Sequence, residues 1–151
     1  MEHVFEEVVA LFPGRYVHIG GDEAVKDQWI ASPRVQAQMK ALGLKTEMQM
    51  QSRMVARFER FLSARGKRLI GWDEILEGEL PPSATVMSWR GIEGGLQAAG
   101  KGHDVVMSPV SHLYLDYLQT ESPNEPPGRP TTVTLRAAVF VERKPLQSAD
   151  R

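Results

Sequence analysis

Two carboxylates, Asp22 and Glu23, follow two glycines, Gly20 and Gly21, at the end of a short apolar run. Glycines let a backbone bend tightly, and a bend at a strand's end can aim the next side chains into a cleft. The chemistry open to such a pair is proton transfer and the holding of charge. Neighbours on one extended segment diverge in direction, so these two acids do not suit two-carboxylate glycosidases, whose groups face each other about 5 to 9.5 Å apart across a bond. One of the two therefore needs a task different from the other's. Three more groups of polar and aromatic residues follow: Trp72 with Asp73 and Glu74, Trp89 with Arg90, and Tyr114 with Asp116.

Each of these has a plainer reading when taken singly. An Asp-Glu pair after glycines is most often the N-cap and first-turn acid of the next helix. Tryptophans at 72 and 89 would more often be core than pocket, and His3, His18, His103 and His112 would more often be structural than ligands. What changes the balance is the order of the groups and where the surrounding elements put them.

Val4, Phe5, Val8, Val9, Leu11 and Phe12 share one helical face, and Pro13 with Gly14 ends that pattern. Tyr16, Val17, His18 and Ile19 then read as a strand running into the Gly-Gly-Asp-Glu segment. Ser32 and Pro33 supply an N-cap and a first-turn proline for a helix carrying Val35, Met39 and Leu42, closed by Gly43. Thr46 with Gln49 fits a capping box, and Met54, Val55, Phe58, Phe61 and Leu62 form the apolar stripe of a longer helix ending near Gly66. Strands are predicted over 68–72, 85–89 and 104–107, with a helix over 93–99 between the last two. Residues 121–130 hold four prolines in ten, which excludes a helix or central strand and predicts an extended loop. Residues 132–141 regain a β-like pattern, and the polar residues after them are expected to fray.

Strands alternating with helices four times over imply parallel strands joined by helical crossovers, in a barrel or a doubly wound sheet. In either, function sits at the carboxyl ends of the strands. Asp22 and Glu23, the segment 72–74, Trp89 and Arg90 all fall there, and the segment 112–116 comes shortly after the fourth strand.

Composition narrows the function classes. The chain has 151 residues, 42% hydrophobic and 25% charged, as one ordinary domain does. Eighteen basic against nineteen acidic residues leave a net charge of −1, so no positive excess is present to follow a phosphate backbone, and nucleic acid is not an expected partner. With no cysteine there is no disulfide, thiolate metal site or cysteine nucleophile. No HExxH pair, Walker loop or dinucleotide fingerprint occurs, so neither a metal nor a cofactor is expected. No apolar run has the length of a membrane span, and the first residues do not read as a signal peptide.

In order, the segments His18-Ile-Gly-Gly-Asp-Glu23, Gly71-Trp-Asp-Glu74, Ser88-Trp-Arg-Gly91 and Tyr114-Leu-Asp116 resemble the signature segments of family 20 glycoside hydrolases, the β-N-acetylhexosaminidases. The resemblance covers about 1–145, including the stretch 29–44, and leaves 146–151 as a polar tail. It implies an α/β fold, a partial (β/α)8 TIM barrel made of the middle-to-late strand-helix units. Four such units fall short of the eight strands and about 250 residues of a closed barrel. By the same resemblance a sugar-binding arginine belongs to earlier strands, and a tryptophan and an acid belong to a last strand, none of which this sequence includes.

The activity implied is exo-acting hydrolysis of glycans ending in N-acetylglucosamine or N-acetylgalactosamine. It proceeds with retention, and the substrate's 2-acetamido group is the nucleophile. Glu23 would then protonate the leaving oxygen, while Asp22 would hold the acetamide nitrogen and offset charge on the ring that forms. Trp72 and Trp89 would line the pocket around the sugar and the acetamide methyl, Tyr114 would bond the acetamide oxygen, and Asp116 a sugar hydroxyl. Asp73, Glu74 and Arg90 would form supporting ion pairs. The alternatives are a non-catalytic sugar-binding module and a truncated, inactive remnant.

Overall fold

The computed structural model describes residues 1–139, so the expected tail 146–151 and the end of the stretch 132–141 lie outside the described residues. The chain runs α1 (Glu2–Leu11), β1 (Tyr16–His18), α2 (Asp27–Ala31), α3 (Pro33–Ala41), α4 (Glu47–Ser63) and β2 (Arg68–Trp72). A 3-10 turn (Asp73–Glu77) leads on to β3 (Thr85–Ser88), α5 (Glu93–Gly100), β4 (Val105–Met107) and α6 (Val110–Leu113). The described part closes with β5 (Tyr117–Leu118), β6 (Arg129–Thr132) and α7 (Leu135–Val139).

Strands β1 to β4 form one parallel sheet in sequence order; α-helices connect β1 to β2 and β3 to β4, and the 3-10 turn lies between β2 and β3. The register sets Val17 beside Leu69 and His18 beside Ile70, then Trp72 beside Met87. Because side chains alternate along a strand, Val17, Leu69 and Val86 share the face that the helices cover. There they meet Phe5, Val55, Leu62 and Ala98 in one apolar core. His18 and Trp72 belong to the opposite face.

Local chemistry accounts for the helices. The Ser32 hydroxyl accepts the Val35 N–H at 3.4 Å and starts α3 with Pro33 at its first position. Thr46 Oγ1 accepts the Gln49 N–H at 3.2 Å. The returning Gln49 side chain takes the N–H of Lys45 at 2.6 Å rather than that of the cap residue, a capping box shifted by one position. Helix α1 is clamped to α4 by Phe5 against Phe58, with ring centroids 5.0 Å apart, and by the ion pair Arg57–Glu2, and to the turn after α4 by the ion pair Arg65–Glu6.

Two expectations need correction. Within the described part of the stretch 132–141, only Thr132 belongs to a strand. Thr132 closes β6, and the Thr134 hydroxyl then accepts the Ala137 N–H at 3.2 Å and starts α7. Threonine favours strands but is also a good helix cap, and here the cap wins. The proline-rich loop 121–130 is not wholly extended loop either, since its last two residues enter β6. Among the described residues that strand pairs only with β5, and the edge position is what lets it carry Pro130.

Candidate active site

The bend after β1 is made by residues whose backbones lie in the left-handed region: Gly20 at φ 74°, Gly21 at φ 103°, and Glu23 at φ 46°. Among the described residues Glu23 is the one non-glycine with positive φ, a conformation that costs a side-chain-bearing residue on the order of 1 kcal/mol. The bend is held from three sides. Trp72 donates its N–H to the Gly20 carbonyl at 3.0 Å, Gln51 of α4 donates to the Gly21 carbonyl at 3.3 Å, and Gly20 donates to His18 Nδ1 at 3.0 Å. Asp22 and Glu23 sit in a turn that ends before α2, whose N-cap is Lys26, so they are not the caps of the next helix.

The aromatic residues converge at the same end of the sheet. His18 packs edge-on against Trp72 with centroids 4.8 Å apart. Trp89, directly after β3, stacks on Tyr114 at 6.3 Å with 24° between the rings, and Tyr114 meets Tyr117 edge-on. Both tryptophans and Tyr114 are half-buried, whereas Asp22, Glu23 and Asp116 are exposed. Burial, with the charges of Asp116 and Asp22, raises the Tyr114 phenol above its ordinary value, while Arg129 opposes the shift. Asp22, after β1, and Tyr114, stacked on Trp89 after β3, lie at the same end of the sheet although 92 residues separate them in the chain. Asp116 is paired with Arg129 at 2.9 Å. Glu23, Gln51, Glu74 and Trp89 line one cleft of about 370 Å³.

A charged cluster, part of which lines the same cleft, adjoins Trp89. Arg90 reaches Asp73 at 3.1 Å and Glu77 at 3.0 Å and stands 3.7 Å from Glu74. Burial opposes its positive charge, but the bond to Glu77 and the charges of Asp73 and Glu74 outweigh that and raise its proton affinity. Among the described residues no group of three or more histidines or acids is placed to hold a metal ion, and no helix is long and apolar enough to cross a membrane.

Three contacts of this region were not foreseen in the sequence, although Glu74 was expected in a supporting ion pair and His18 falls in a quoted motif. Gln51 is a polar position on the stripe of α4 that turns inward to the bend. Glu74 accepts the Trp89 indole N–H. His18 belongs to a quoted motif, but its type pointed only to a structural histidine. Its neighbour-but-one Gly20 supplies the signal, since an imidazole two residues before a left-handed glycine is within reach of that residue's N–H.

His18 also makes the site sensitive to acid. Taking the Gly20 N–H at Nδ1 requires that nitrogen to be unprotonated, which puts the proton of the neutral ring on Nε2. Burial lowers the proton affinity of His18 below its ordinary 6.5, and the Asp22 charge only partly offsets this. The unfolded chain therefore binds this proton more readily than the folded one. Above 6.5 the group contributes no pH dependence, and as pH falls below 6.5 stability is lost until the folded value is passed. Denaturant midpoints of the protein are expected to fall between pH 7 and pH 5. The variant His18→Asn, with a neutral acceptor at every pH, is expected to flatten that slope.

Four parallel strands with helices on the outer face, and acids and aromatic rings gathered at their carboxyl ends, define part of a (β/α)8 barrel. The sequence profile described as "Glycosyl hydrolase family 20, catalytic domain" matches residues 1–150, and the chain belongs to that family. It is 56% identical over 124 residues to a beta-hexosaminidase of Porphyromonas gingivalis, an alignment covering 82% of this chain and 16% of the relative. It is 37% identical over 127 residues to a beta-hexosaminidase of Vibrio furnissii, covering 83% of this chain and 21% of that one. A crystal structure of a GH20 exo beta-N-acetylglucosaminidase from Vibrio harveyi in complex with N-acetylglucosamine superposes with a TM-score of 0.88 at 36% identity, covering 99% of this chain and 24% of that chain. The chain thus spans about a fifth of the length of these relatives.

Proposed function

We propose that this chain is the acid-bearing part of the catalytic domain of an exo-acting β-N-acetylhexosaminidase, a glycosidase that removes terminal N-acetylglucosamine or N-acetylgalactosamine. The observation that carries this reading is the presentation of Asp22 and Glu23 on one turn at the end of β1, the sheet end that also holds the Trp72, Trp89 and Tyr114 rings, with Glu23 and Trp89 lining one cleft. Divergent neighbouring acids suit a reaction in which only one of them transfers a proton.

In the first step the substrate's acetamide oxygen attacks the anomeric carbon while the glycosidic bond breaks, and Glu23 gives its proton to the leaving oxygen. Asp22 accepts the acetamide N–H and balances the charge that appears on the oxazolinium ring. Water then adds to the anomeric carbon, Glu23 takes the proton back, and the ring reopens to the free sugar with its configuration retained. Trp72 and Trp89 pack on the apolar sugar face and the acetamide methyl, Tyr114 donates to the acetamide oxygen, and Asp116 receives a sugar hydroxyl.

The test uses the full-length protein that contains this chain. It is expected to release nitrophenol from an aryl N-acetyl-β-D-glucosaminide but not from the aryl β-D-glucoside, which lacks the internal nucleophile. The first sugar anomer seen by NMR is expected to be β. Equal turnover of both glycosides, or an α product, would overturn the reading.

A further inference from the structure

The Trp89 indole is held by a carboxylate. Its Nε1–H points at Glu74, 3.0 Å from one oxygen and 3.2 Å from the other. Glu74 comes from the 3-10 turn after β2 and Trp89 from the residue after β3, so the contact ties two neighbouring strand ends together. Glu74 is 7% exposed. A carboxylate so far out of water needs strong donors, because a buried anion left under-served is costly. Its nearest cation is Arg90, but that guanidinium stands 3.7 Å away and is shared with Asp73 and Glu77, which it approaches more closely. Among the described residues the indole N–H is thus the closest donor to Glu74, and turning the ring away would leave the carboxylate with the long ion pair to Arg90.

We infer that Glu74 is a positioning residue that sets the acyl-group specificity of the site by locking Trp89. The inference rests on the reading above, in which Trp89 lines the acetamide pocket. With its N–H engaged by Glu74, the indole has no free donor to turn toward a ligand and offers it the ring face, and its stacking on Tyr114 passes the same orientation to the phenol. The wall is then fixed in place and rejects acyl groups longer than acetyl by overlap. A released indole can tilt, and the pocket loses both its fit to acetyl and its intolerance of larger groups.

The experiment compares Glu74→Gln and Glu74→Leu in the full-length protein, using aryl glucosaminides N-acylated with acetyl, propionyl or butyryl groups. Gln keeps an acceptor for the indole and is expected to stay within about threefold of the parent in kcat/KM. Leu is expected to lose roughly ten- to hundredfold on the acetyl substrate, chiefly through KM, and to narrow the acetyl-to-butyryl preference. Trp89→Phe removes the N–H while keeping a ring. In that background Glu74→Leu is expected to add no further change in acyl preference. An unaltered preference in a folded Glu74→Leu protein, Gln as damaging as Leu, or full additivity with Trp89→Phe would each overturn the inference. If Glu74→Leu does not fold, Trp89→Phe alone decides: an unaltered preference overturns the inference and a narrowed one supports it. A parent protein that leaves the acetyl substrate uncleaved would instead sink the reading on which it rests.

Discussion

Glu23→Gln in the full-length protein is expected to lower kcat/KM by about 10²- to 10⁴-fold on a disaccharide or alkyl N-acetyl-β-hexosaminide. On an aryl substrate with a highly acidic phenol the loss is expected to be far smaller. The difference follows from where the proton is needed. A sugar alkoxide is a poor leaving group unless it is protonated as it departs, whereas an acidic phenol leaves as its anion. Asp22→Asn should show the other pattern. In the proposed reaction its partner is the acetamide group, which attacks in the same way whatever is leaving, so its loss is expected to be similar on both substrates. Parallel kinetics with the two leaving groups therefore separate the roles. If Glu23→Gln lost equally on both, the acid would have to be sought elsewhere.

Sequence patterning captured the elements that repeat a local rule. The stripe of α4, the cap at Ser32 and the four strands stand where periodicity and turn chemistry put them, with boundaries shifted by one or two residues. The acids and rings of the site were legible because their motifs fall at strand ends, which a parallel sheet gathers at one edge. What was not legible is non-local or ambiguous. Nothing within the sequence around residue 51 says that its amide will bond a carbonyl 30 positions away, and nothing around Glu74 says that it will receive the indole that follows β3. The short turn Asp73–Glu77 escaped because its apolar pair, Ile75 and Leu76, is too brief to show a period, yet both are buried and Ile75 sits against the bend. Thr132, Val133 and Thr134 suggested a strand by type, and only the hydrogen bond from Ala137 shows that the last of them is a cap.

That contact with Ile75 underlies the largest expected effect on stability. At Gly21 an added Cβ would stand 2.8 Å from Ile75 Cγ2, and the backbone φ of 103° belongs to a region that L side chains rarely adopt. Ile75 is a β-branched core residue, 3% exposed, and cannot swing aside as a flexible surface chain would. Gly21→Ala therefore combines backbone strain with overpacking, together roughly 2 to 4 kcal/mol. Denaturant unfolding is expected to report that loss, while Gly14→Ala, which meets nothing within 4 Å, should stay within about 0.5 kcal/mol. Two residues further on the sign reverses. Glu23 occupies the left-handed region with a full side chain, so Glu23→Gly is expected to stabilise the fold by about 1 kcal/mol while removing the acid. Opposite stability changes at neighbouring positions of one turn would mean that glycine suits the backbone at both and that the carboxylate at 23 is kept for its chemistry. A Glu23→Gly protein less stable than its parent would argue that the side chain holds the turn together instead.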